Sequence, residues 1–196
     1  MDLQTAFSFW VVGYPSALSL YVMITASIQA IFAGRGWREC RDSELSVAIL
    51  VPAKDEESVI GDCITSLLQT SHSRVNVHVI SDGSSDGTVA IARSFLDPRL
   101  QVHEFDRNRG KSAALEAILP LVGDDLVMVV DADTRLDSEA VSRLAGVFED
   151  RAVAGATGNI RVKQARNLLG KLQAVEFASI IGLLKRANSV WGGSSP

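Results

Sequence analysis

Asp131 and Asp133 stand one residue apart, directly after Leu126–Val130, an unbroken apolar run of five rich in β-branched residues. Such a run predicts a strand buried on both faces of a parallel sheet. An unpaired carboxylate is costly to bury, so two of them at the end of that strand need a partner or solvent. Paired carboxylates presented together suit a hard divalent cation that takes oxygen ligands. Taken alone, the pair reads equally well as a solvated turn with an acidic cap for the next helix.

Three other segments carry similar chemistry. Pro52-Ala53-Lys54-Asp55-Glu56-Glu57 is one, Ser81–Gly87 (SDGSSDG) the second, and Asp106–Lys111 (DRNRGK) the third. All contain acids, and two contain glycines that let backbone approach a ligand closely.

The elements that must position these loops alternate in type. Ser46–Val51, Val75–Ile80 and Leu100–Glu104 read as strands, each ending at one of the loops. Val59, Ile60, Cys63, Ile64, Leu67 and Leu68 recur at helical spacing, and further helices are expected at about Thr88–Phe95, Lys111–Leu119 and Ser138–Phe148. This order predicts an α/β domain with a mostly parallel sheet, helices on both faces and right-handed crossovers. In such a sheet all four loops emerge at the carboxyl edge, where open α/β folds bind ligands. Their coincidence weakens the solvated-turn reading. Beyond Phe148, Ala152–Val162 is expected to hold one strand, and Leu168–Leu184 a long amphipathic helix packed on the sheet.

Leu3–Gly34 contains no charged residue and is long enough for the ~20 residues that span a bilayer. Arg35, Arg38 and Arg41 follow it, which by the positive-inside rule predicts a cytoplasmic location for what comes next. The expected organisation is a transmembrane anchor over 1–34, a basic juxtamembrane linker over 35–45 and a cytoplasmic domain over 46–196. Net charge is −4 and the pI about 5.4, which argues against a nucleic-acid surface. Cys40 and Cys63 lack metal-ligand spacing and read as reduced cytosolic thiols.

At these loops the chain resembles the family 2 glycosyltransferases of the GT-A, nucleotide-sugar-binding fold. The likeness is to membrane-anchored processive synthases of the cellulose, chitin and hyaluronan type, and to related lipid glycosyltransferases. VAILVPAKDEE resembles the family's first strand and loop, VISDGSSDGT its acidic second loop, NRGKSAALEAIL its Asn-x-Gly-Lys segment, and VVDADTRLD its Asp-x-Asp. The resemblance implies a Rossmann-like GT-A sheet preceded by one transmembrane helix, and inverting sugar transfer from a nucleotide-diphosphosugar, most readily a UDP-sugar, to a glycan or lipid acceptor beside membrane lipid. It implies donor contacts from Pro52, Ala53, Lys54, Asp55 and Glu56, a base contact from Asp82, and Lys111 near the diphosphate. Asp131 and Asp133 would hold Mg²⁺ or Mn²⁺ against that diphosphate, with Asp133 the more direct ligand.

Departures from the family pattern are Lys54, where an aromatic residue or His is common, Ser81 in place of a first Asp, and Glu116 in place of a frequent Asn. None removes the metal pair. The family's acceptor base belongs to an acidic motif that does not occur here, so it is expected beyond Pro196, with this chain an N-terminal portion inactive by itself. Two alternatives remain: a haloacid-dehalogenase-type phosphatase with Asp131 as nucleophile and Asp133 as general acid, and an inactive nucleotide-sugar-binding module. The phosphatase motif normally opens its domain, whereas here three βα units precede it.

Overall fold

The computed structural model describes residues 43–158 together with Ser16, Leu20, Tyr21 and Ile24. Residues 43–158 fall within one compact unit, Cys40–Gly158. Its strands are β1 (Val47–Ala53), β2 (Val75–Asp82), β3 (Leu100–Phe105) and β4 (Leu126–Val129). Its helices are α1 (Ile60–Leu68), α2 (Thr88–Arg93), α3 (Lys111–Ile118) and α4 (Ala140–Val147), with a 3₁₀ turn at Leu119–Leu121 after α3.

The strands form one sheet in the order β3-β2-β1-β4, and every pairing is parallel. The βα rhythm read from the sequence requires this, because parallel neighbours need a crossover between them. β1 has neighbours on both sides, and Val47 to Val51 are all buried. On one face Val47, Ile49, Val51, Val77 and Val79 pack with Ile60, Ile64 and Leu67 of α1, Ala92 of α2, and Val141 and Ala145 of α4. On the other face Leu50 and Ile80 pack with Ala114 and Ile118 of α3. Helices therefore cover both faces, three on one and α3 on the other. Helix α1 owes its place to the spacing of Ile60, Cys63, Ile64 and Leu67, a single buried stripe.

Pro52 inside β1 is tolerated for a positional reason. Leu50 accepts the Val130 N–H through its carbonyl, so Pro52, two residues on, turns its missing N–H to the same side. The β4 pairing has already ended there, at Leu50↔Val129.

The expectation that β4 is buried on both faces is corrected. Val127 and Val129 are 46% and 49% exposed, while Leu126 and Met128 pack against the core on the other face. Among the described residues β4 is the last strand of the sheet and pairs with β1 alone, and α3 packs on β1 and β2 rather than over it. β-branched residues suit a pleated strand whether one face or both are covered, so composition does not distinguish the two cases. Residues 152–158 carry no strand. The rest of that expected strand and the long amphipathic helix lie outside the described residues.

Ser16, Leu20, Tyr21 and Ile24 are helical and exposed. Among the described residues no helix is long and apolar enough to cross a membrane, and the expected anchor otherwise lies outside them.

Candidate functional site

All four predicted loops leave the sheet at its carboxyl edge, as the parallel pairing requires. Pro52 and Ala53 still belong to β1, opposite Ile80 and Ser81, so the first loop proper begins at Lys54. Asp82 is likewise the last residue of β2, opposite Phe105.

The first two loops are laced together. Asp55, at φ 55°, sits in the left-handed region that acids tolerate better than most side chains. Its Oδ1 accepts the Ser85 N–H at 2.7 Å and the Ser85 hydroxyl at 3.1 Å. The Glu56 N–H donates to Thr88 Oγ1 at 2.8 Å, and the Glu57 N–H to Asp86 Oδ2 at 3.1 Å. Glu57 Oε2 accepts the Gly87 N–H at 2.9 Å in return. Asp86 Oδ1 also accepts the Thr88 hydroxyl and N–H at the start of α2, and these hydrogen bonds hold its carboxyl below the usual range.

The second loop holds the third. Asp82 is 5% exposed, and its two oxygens accept the Arg109 N–H at 2.7 Å and the Gly110 N–H at 2.8 Å. Gly83, at φ 69°, lies so close that a Cβ would fall 2.6 Å from the Asn108 nitrogen and 2.7 Å from the Arg107 carbonyl carbon. Only glycine permits that approach. Arg109 stacks its guanidinium over Phe105, 4.4 Å from the ring centre. Lys111 then opens α3, and its Nζ lies 2.5 Å from Asp131 Oδ1.

The fourth loop is braced from beneath by α1. Val130 and Ala132 are buried, and Asp131 and Asp133 flank Ala132 in exposed positions. The Cys63 thiol donates to the Asp131 carbonyl at 3.8 Å, Ser66 Oγ accepts the Leu136 N–H at 3.2 Å, and Asp62 pairs with Arg135. The Ser138 carbonyl accepts the Ser71 N–H at 2.8 Å. Burial pushes the Cys63 thiol up to about 12, with the charges of Asp133 and Asp131 adding to it, so it is a protonated donor rather than a nucleophile. Cys63 is free, as expected; Cys40 lies outside the described residues.

The predicted residues thus stand at one edge, where Asp82 holds the two residues that precede Lys111 and Lys111 pairs with Asp131. Lys54 and Asp133 are exposed there. Ser84, whose hydroxyl accepts the Asp55 N–H at 3.2 Å, and Ser85, Asp86, Thr88, Cys63 and Ser66 stitch the edge together, and sequence reasoning gave none of them a role at the site. The Asp86-Gly87-Thr88 spacing, in which an Asp side chain accepts the N–H two residues on, is a sequence signal for one of these contacts.

Among the described residues no three His, Cys, Asp or Glu side chains form a metal-binding group. Asp131 and Asp133 supply two hard oxygen donors in the open. That donor set fits a cation such as Mg²⁺, which keeps several waters and takes one or two carboxylates with substrate phosphates.

The sequence profile described as "Glycosyl transferase family 2" matches residues 48–191. A poly-beta-1,6-N-acetyl-D-glucosamine synthase of Staphylococcus epidermidis is 33% identical over 148 residues, covering 74% of this chain and 36% of that protein. The synthase of the same name from Staphylococcus aureus (strain COL) is 29% identical over 187 residues, covering 94% and 44%. The chain therefore spans less than half the length of these curated relatives. In fold it is similar to a mannosyltransferase of Pyrobaculum calidifontis solved with GDP-Man and Mn²⁺, at TM-score 0.56 and 21% identity over 80% of this chain and 48% of that one. It is also similar to S. aureus TarS 1–349, at TM-score 0.50 and 21% identity, covering 61% and 40%. Both likenesses bear on the fold alone.

Proposed function

The chain belongs to glycosyl transferase family 2, and on that premise we propose that it carries the donor half of an inverting transferase. In this reading it moves a sugar from a nucleotide-diphosphosugar to a glycan or lipid acceptor at the cytoplasmic face of a membrane. The observation that carries the proposal is the convergence of Lys111 on Asp131 at a sheet edge where two further polar loops meet. A phosphatase needs only the Asp131 loop and leaves that lacing of the other three without a purpose.

The roles follow from the chemistry of each group. The diphosphate lies against Lys111, whose ammonium is a compact charge suited to phosphate oxygens. Asp131 and Asp133 hold Mg²⁺ or Mn²⁺, which when bound supplies a Lewis acid for the charge on the departing nucleoside diphosphate. The loop from Lys54 to Glu56, fixed by Ser85 and Thr88, lines the nucleoside side of the pocket together with Pro52 and Ala53. Asp82 retains lone pairs beyond the two it gives to Arg109 and Gly110, so a base N–H can still be accepted. The acceptor hydroxyl's proton goes to a carboxylate outside these four loops, as inverting transfer requires a base across the sugar from the leaving group.

The named relatives make a polymer of N-acetylglucosamine, so UDP-N-acetylglucosamine is the first donor to test. The uncharged run Leu3–Gly34 followed by Arg35, Arg38 and Arg41 supports a membrane anchor with the sheet domain in the cytoplasm. A panel of nucleotide-sugars titrated calorimetrically with and without Mn²⁺ tests the donor reading. Metal-dependent binding of one donor over the others is expected. Absence of binding across the panel overturns it.

A further inference from the structure

Resting on the donor-site reading, we infer that Asp82 is a positioning residue for Lys111, acting on the diphosphate end of the pocket through the backbone. Its carboxylate is buried at the end of β2, and both oxygens are committed to consecutive N–H groups, those of Arg109 and Gly110. Those two residues immediately precede Lys111. A carboxylate that bridges successive backbone N–H groups fixes the plane and direction of the chain between them, a stronger constraint than one hydrogen bond gives.

Other features at the same junction make the constraint stiff. Gly83 brings the two loops to a separation no side chain allows. Asn108 Oδ1 accepts the same Gly110 N–H at 2.9 Å, and Gly110 turns through φ 87° into the first residue of α3. Lys111 leaves that fixed point and reaches Asp131. Lys111 and Asp131 side chains are 56% and 61% exposed, and an exposed ion pair of this kind holds little by itself. The buried Asp82 contacts therefore decide where the ammonium stands, and the ion pair follows. A side chain expected only to read the base thus governs the charge placed at the phosphates.

Inorganic pyrophosphate, which has no base, separates the two roles. With Mn²⁺ present, Asp82→Asn is expected to weaken pyrophosphate and UDP alike, on the order of tenfold, the loss typical of a charged hydrogen bond. In a Lys111→Ala background the same substitution is expected to cost little more, because both changes act through one ammonium. Pyrophosphate affinity unchanged while UDP weakens, or effects that add in full, would overturn the inference.

A ligand-free readout stands beside this. Acetic anhydride should label Lys111 faster in Asp82→Asn than in the wild-type chain, and an equal rate overturns the inference. If the wild-type chain binds neither ligand, the donor-site reading falls while the labelling still decides the positioning. If Asp82→Asn does not fold, hydrogen exchange of the wild-type chain decides. The Arg109 and Gly110 amides should be protected, and exchange as fast as in an open loop overturns the inference.

Discussion

Lys111 and Asp131, twenty residues apart, meet at 2.5 Å and join the first turn of α3 to the loop that follows β4. Both are exposed, so the pair adds at most about 1 kcal/mol to stability. Lys111→Ala is therefore expected to leave the melting temperature nearly unchanged. Binding of UDP should weaken on the order of tenfold, with a shallower dependence on salt, because one ammonium contact to phosphate is lost. Calorimetry across a salt series reads both.

Asp133→Asn is expected to abolish the Mn²⁺-dependent part of nucleoside diphosphate binding while the fold persists. The side chain is exposed and the loop is held by Cys63, Ser66 and Ser71, none of which depends on it. Undiminished, still metal-dependent binding would show that the cation sits elsewhere.

Gly83→Ala should be more damaging than its size suggests. The added methyl meets backbone of Arg107 and Asn108, which cannot swing aside as a side chain can, and φ 69° is unfavourable for alanine. A destabilisation of about 1–3 kcal/mol is expected, measured by urea denaturation, with loss of nucleotide affinity beyond it.

A histidine pair gives the fold a pH dependence. His78 Nδ1 and His103 Nε2 lie 3.1 Å apart on neighbouring strands, with the rings stacked. Burial holds His78 below its ordinary 6.5, the charge of His103 adds to this, and Asp124 opposes it; burial lowers His103 as well. The unfolded chain thus takes up protons first, and stability is full above about 6.5 and falls as pH drops below it. Urea midpoints should decline from about pH 7 to about pH 5, and the decline should flatten in His78→Gln.

For the expected anchor, cysteines placed after Arg41 should resist membrane-impermeant maleimide in intact cells and react once the membrane is opened. Reaction from outside would reverse the orientation.

Much of this was legible because the strands are short apolar runs stopped by polar loops. β1, β2 and β3 lie within two residues of their expected bounds at either end, and one parallel sheet follows from their alternation with helices. The convergence of Asp82, Lys111, Asp131 and Asp133 on one edge followed from that topology. Two things were not legible. Whether Val127 and Val129 are covered depends on what lies across from them in space, and residue type alone is silent on that. The stitching by Ser85, Thr88, Cys63 and Ser66 depends on which loops come within 3–4 Å, a distance set by packing.

The uncovered face of β4 has a consequence for handling the protein. Val127 and Val129 stand in water, and Leu126–Val129 contains no charge, proline or bulge that would discourage pairing with another chain. Natural sheets blunt such borders with those devices. A polypeptide cut to residues 43–158 should therefore self-associate as concentration rises, stacking border to border. Val127→Lys should keep it monomeric with the fold intact, since that side chain lies outside both core clusters.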